Sequence, residues 1–105
     1  MACTADDAKK FSTTKFSCDA VACAKKSFFN VDKTAQCIVS TDRLSASCAN
    51  CMGQVSQCTV KHCAVQCLVD PTAPACQACG HQNCDALAKT CSGLDTLPPD
   101  PSGCH

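Results

Sequence analysis

The sequence predicts an all-α fold: a small disulfide-stapled helical domain built on an antiparallel helical hairpin, with an extended Pro-rich C-terminal tail. Three observations carry this expectation. Fourteen of the 105 residues are cysteine, an even number and above the ~10% that marks disulfide scaffolds. Apolar residues recur at steps of three and four, and no alternating run of strand length occurs. From Cys51 to Cys91 the steps between successive cysteines are 7, 5, 4, 9, 3, 5 and 7 residues, close to a palindrome.

The palindrome has a geometric meaning. Both helices of an antiparallel hairpin rise at the same rate, so residues whose numbers share one sum lie opposite each other. Cys51 with Cys91, Cys58 with Cys84, and Cys63 with Cys79 share that sum, and Cys67 with Cys76 misses it by one. A ladder of four disulfides is expected. The rule assigns no partners to Cys3, Cys18, Cys23, Cys37, Cys48 and Cys104.

The elements follow in order within one domain, residues 1–105. Residues 1–40 read as short N-terminal helices. Thr4 is a natural N-cap, with Asp6 and Asp7 in the first turn, and this helix ends near Phe11. Ser12-Thr13-Thr14 reads as a turn, with Ser17 capping a second helix from Cys18 to about Phe29 and Asn30 just past its end. Val31 to Val39 fits either a short helix or a partly extended segment. The laddered hairpin spans 41–93. Its first arm opens at Ser40-Thr41-Asp42 and reaches Leu68, with Leu44, Cys48, Cys51, Met52, Val55 and Cys58 on one face. Later cysteines drift around the axis, so a break is expected between Cys58 and His62. Asp70-Pro71-Thr72-Ala73-Pro74 makes the turn, because proline suits the first turn of a helix but not its interior. The return arm runs from Ala73 to Ser92, with Gly80 as an interruption, Asn83 as a second cap and Gly93 as the stop. The tail, 94–105, contains Leu97-Pro98-Pro99-Asp100-Pro101, which is extended, and Cys104 pins it back.

The large apolar residues are few: four Phe, five Leu, seven Val, one Ile, and no Trp or Tyr. Chains short of core add cross-links, and each bridge stabilises by ~2–4 kcal/mol through the unfolded chain. Seven disulfides and an oxidising compartment follow: cell exterior, thylakoid lumen or mitochondrial intermembrane space. The first ten residues lack a signal peptide's apolar stretch. A removed presequence is the expectation, and delivery without a cleaved leader is the alternative. Nine basic residues balance nine Asp, which argues against nucleic-acid partners, and no apolar run approaches the ~18 residues of a transmembrane span.

Two C-x2-C pairs, Cys48–Cys51 and Cys76–Cys79, have the spacing of a zinc ribbon. They fall in helical sequence rather than on β-knuckles, so disulfide partners are the expectation and no metal or other cofactor is. In composition the chain resembles a thiolate-lined helical bundle of the kind that stores Cu(I); mirrored pairing speaks against this. A redox C-x2-C normally follows a strand, and none precedes either pair. His62, His81 and His105 are isolated histidines, and no nucleophile-elbow motif occurs, so no catalytic residues and no catalytic pocket are expected. Phe28 and Phe29, beside Lys25-Lys26, and Leu94 and Leu97 in the tail are the apolar residues least explained by the hairpin. They are the candidate partner-binding residues. The expected function is a non-enzymatic structural or accessory protein that docks onto a partner protein or multi-subunit assembly. A secreted signalling ligand, pheromone-like or toxin-like, is the alternative, since the composition resembles that of ciliate pheromones although the spacings do not align. Cu(I) or zinc binding or storage is the third class.

Overall fold

The computed structural model describes residues 1–104, so the candidate histidine His105 lies outside the described residues. Five helices follow one another: α1 (Ala5–Lys10), α2 (Thr14–Lys26), α3 (Val31–Asp42), α4 (Ala46–Cys67) and α5 (Pro74–Ser92). There is no strand among the described residues, and the fold is all-α.

Short polar side chains start four of the helices. Thr4 Oγ1 accepts the Asp7 N–H at 3.1 Å while Asp7 Oδ2 accepts the Thr4 N–H at 2.9 Å, a reciprocal capping box. Thr13, Asn30 and Ser45 accept the N–H groups of Phe16, Lys33 and Cys48 and so cap α2, α3 and α4. Helix α5 has no side-chain cap and starts on Pro74 instead, whose missing N–H costs nothing there.

Several boundaries differ from the sequence reading. Thr13, not Ser17, caps α2; Ser17 lies inside the helix, 5% exposed. Asn30 opens α3 instead of closing α2, and the chain between them turns through Phe28 and Phe29, both left-handed at φ 52° and 59°. Residues 31–42 form one helix that crosses the expected boundary at residue 40, because Thr34, Ala35 and Ile38 give it a buried stripe. The break in α4 falls at Cys63 (φ −126°, ψ 27°), just past the expected stretch. Gly80 and Asn83 do not interrupt α5; the Asn83 side-chain amide donates to the Cys79 carbonyl one turn back at 2.9 Å.

Two cores result. The larger gathers Phe11, Phe16, Ile38, Leu44, Ala49 and Met52 with Cys3, Cys23, Cys48 and Cys51. Phe11 and Phe16 meet as a tilted ring pair with centroids 5.9 Å apart. Gly53 lets α3 and α4 approach at backbone distance, since a Cβ there would stand 2.7 Å from the Val31 carbonyl oxygen. The smaller core, at the far end of the hairpin, consists of Cys63, Cys67 and Cys76.

All fourteen cysteines are paired. Across the hairpin the bridges are Cys51–Cys91, Cys58–Cys84, Cys63–Cys79 and Cys67–Cys76, with Cα separations of 5.6, 6.1, 5.9 and 4.7 Å. These are the four pairs that the mirrored spacing selects. The others are Cys3–Cys48, Cys23–Cys37 and Cys18–Cys104. Many disulfides fit an oxidising compartment, and among the described residues no helix is long and apolar enough to cross a membrane.

Asp7 links the start of the chain to α4. It is 2% exposed. It also accepts the Ser45 N–H at 2.9 Å and the Ser45 hydroxyl at 2.7 Å. Burial opposes its ionisation, but the hydrogen bonds from Thr4 and Ser45 outweigh it and hold the carboxyl below the usual range.

Candidate functional site: an apolar cleft under the tail

A cleft of about 180 Å³ opens between α2, α4 and α5 and is roofed by residues 97–101. Ala20 and Val21 of α2, Val55 and Val60 of α4, and Gly80 and Ala88 of α5 form its walls. Helical spacing explains the set: each helix turns small or β-branched residues to the gap, α4 and α5 are cross-linked to each other, and α2 is tied to the tail that covers it. Gly80 adds room, since a Cβ there would make only ordinary contact with Thr59 at 3.5 Å.

The roof is an extended strap fastened at three points. The Ser17 hydroxyl donates to the Pro99 carbonyl. His81 Nε2 stands 2.6 Å from Asp100 Oδ1. Beyond the roof, Cys104 is bonded to Cys18 of α2. The Cys18–Cys104 bond is what lets a segment with three prolines lie flat on a helical body without backbone pairing.

His81 joins the strap to α5 on its other side as well. Its Nδ1 lies 2.9 and 3.0 Å from the two oxygens of Asp85, one turn on. The hydrogen bonds to Asp85, then Asp100, raise the imidazole above its ordinary value despite partial burial. When protonated, the ring donates from both nitrogens, a form that cannot act as a general base. The hydroxyls that line the cleft are also committed: Ser56 donates to the Met52 carbonyl at 3.1 Å and Thr59 to the Val55 carbonyl at 3.0 Å.

The four apolar residues singled out in the sequence separate. Phe29 and Leu97 both line the cleft. Leu94 packs against the larger core. Phe28 is 91% exposed. His62 is exposed and away from the cleft lining. Cys48, Cys51, Cys76 and Cys79 are bonded to four different partners, Cys3, Cys91, Cys67 and Cys63, so in this form they present no set of thiolates to a metal. The buried group Cys3, Asp7 and Cys48 is close enough to hold an ion, but its sulfurs are bonded to each other and its carboxylate is filled by Thr4 and Ser45.

Two features escaped the sequence reading. The His81–Asp85 pair is visible as an i, i+4 spacing, but Asp100 reaches it only through the fold of the strap. Val65, Leu68 and Val69 form an outward stripe, 91%, 69% and 96% exposed. Part of its signal was present: Cys67 faces inward, and Val65, two positions before it on α4, lies about 200° around the helix. A third cluster lies outside the cleft, where Lys15 Nζ stands 2.7 Å from Asp19 and 4.0 Å from Asp42. Burial and then the neighbouring Asp19 carboxylate push Asp42 up to about 6.

Compared with known proteins, the chain matches no family model, no curated protein and no solved structure.

Proposed function

We propose that this chain is a non-enzymatic binding protein of an oxidising compartment and that the strap-roofed cleft is its binding element. The observation that carries the reading is the lining itself: an apolar space bounded by three cross-linked helices and a covalently fastened roof. Ligand sites are concave, mostly apolar and largely pre-formed. Rigid walls lower the ordering cost of binding, and seven bridges supply rigidity that a thin core does not. The committed hydroxyls, and a His81 whose two ring nitrogens both face carboxylates, support a role without turnover. The volume suits a small guest, since an apolar cavity of ~150 Å³ takes up benzene. The test is titration with the reporter N-phenyl-1-naphthylamine. One saturable site per chain is expected, lost when Gly80→Leu or Val60→Phe fills the cleft. Absence of saturable binding to the oxidised protein would overturn the reading.

A second reading is favoured by Val65, Leu68, Val69 and Phe28, whose exposure is unusual for large apolar residues in so small a protein. It makes the chain an accessory subunit that docks onto a partner protein, in the thylakoid lumen, the intermembrane space or outside the cell. A secreted signal would use the same surface on a receptor. A photo-crosslinking side chain at position 69 tests both. A single partner captured in cells from position 69 and not from Gln57 supports docking, and equal labelling from both positions removes it.

A further inference from the structure

The polar side chains bordering the cleft offer almost only hydrogen-bond acceptors, and this points to a class of guest. We infer that the cleft takes a small apolar molecule bearing an amine or hydroxyl group and discriminates against the corresponding carboxylate. The inference rests on the cleft reading above and names its ligand.

Donors are spent inside the protein. Ser17, Ser56 and Thr59 give their hydroxyl hydrogens to the carbonyls of Pro99, Met52 and Val55. The Gln77 amide gives one hydrogen to the Pro71 carbonyl at 2.7 Å, which leaves one. Both nitrogens of His81 face carboxylates. The roof adds none at Pro98, Pro99 and Pro101, because proline has no N–H. Acceptors remain open. Asp100 uses one oxygen on His81 and its side chain is 52% exposed, and that of Asp85 is 41% exposed.

Charge points the same way. Among the described residues, the charged ones that border the cleft are His81, Asp85 and Asp100, with no lysine or arginine. With His81 protonated the rim carries a net negative charge. A carboxylate entering it meets like charge and finds one free side-chain donor. An ammonium or hydroxyl group meets acceptors, while the apolar body fills the space between Val55, Val60 and Ala88.

The experiment compares octylamine, octanol and octanoate against the oxidised protein at pH 7 by calorimetry, with methyl shifts of Val55, Val60 and Ala88 followed by NMR. The amine and the alcohol are expected to bind in the cleft, and octanoate at least tenfold more weakly than the amine. Asp100→Asn is expected to narrow the amine-to-carboxylate ratio severalfold while octanol changes little. Equal binding of all three, or tighter binding of octanoate, overturns the ligand class and leaves the cleft reading intact. Binding of none, or binding that leaves the cleft methyl shifts unmoved, overturns the cleft reading itself. Gly80→Leu and Val60→Phe locate the site independently, each checked for fold by its full set of disulfides and helical circular dichroism.

Discussion

The two ends of the hairpin are held together by different physics. Near Cys51 and Cys91, α4 and α5 are continuous with a core of Phe11, Phe16, Ile38, Leu44 and Met52. Near Cys67 and Cys76 the interior is cystine, while Val65, Leu68 and Val69 face outward. Apolar burial stabilises the near end at ~25 cal/mol per Å². The far end buries little besides sulfur and depends on bridges that act through the unfolded chain. One molecule therefore has two stability mechanisms, and each fails under its own perturbation.

Reduction gives the largest effect. The Cys58–Cys84, Cys63–Cys79 and Cys67–Cys76 bridges close nested loops of 26, 16 and 9 residues, and a loop of 15 is worth ~3 kcal/mol. In strong reductant most helical signal should be lost, and amides of residues 58–84 should lose exchange protection before those of 34–52. A far end that stays protected after reduction would break the comparison. The core is probed in the oxidised protein: Ile38, fully buried, should cost about 2–5 kcal/mol as Ile38→Ala. Val69→Ala, at a surface site, should stay within about 0.5 kcal/mol by the same thermal melt.

The near end also carries a pH term. The folded protein keeps a proton on Asp42 up to about 6, which the unfolded chain releases near ~3.9. The stabilisation is full below the unfolded value and is lost as pH rises through about 6. Asp42→Asn should flatten this loss, on the order of 1–3 kcal/mol, between melts at pH 4 and pH 8. Smaller still is the turn at Phe28, exposed and left-handed. Phe28→Asn should raise stability by up to ~1 kcal/mol, since asparagine tolerates that conformation better.

The smallest effect is local. His81 is raised by Asp85 and Asp100, so its contribution is full below its unfolded pKa of ~6.5 and fades as pH rises through the higher folded value. Alkaline pH should speed proteolysis of the strap with little change in melting, and His81→Gln should remove that pH dependence.

What was legible in the sequence divides along the same line. The four-rung ladder was readable because its cysteines belong to two helices related by one turn, so numbering alone encodes their register. Cys3, Cys18, Cys23, Cys37, Cys48 and Cys104 pair between elements that no single operation relates, and their partners came only with the tertiary fold. Ser17 looked like a cap because Ser before a helical run has that chemistry; Thr13 took the role and Ser17 went to the strap. Of the cleft, Phe29 and Leu97 were readable as unexplained apolar residues. The gap they share was not, because it depends on how α2 and the tail pack against α4 and α5.

The Cys18–Cys104 bond has a mechanical consequence. A load applied before Cys3 and beyond Cys104 takes the shortest covalent route, which runs along the backbone from Cys3 to Cys18 and crosses directly to Cys104. Fifteen backbone steps and the 5.4 Å span of the bridge lie on that route, so the two points separate by at most about 60 Å at ~3.3–3.6 Å per residue. The molecule is already 33 Å along its longest axis. Helices α3, α4 and α5 lie off the line of force and stay folded while α1 and the first turn of α2 are drawn out. Pulled by its flanks, the oxidised protein can lengthen only along this short route, and cutting Cys18–Cys104 alone passes the load to a second route of nearly the same length through Cys3–Cys48 and Cys51–Cys91.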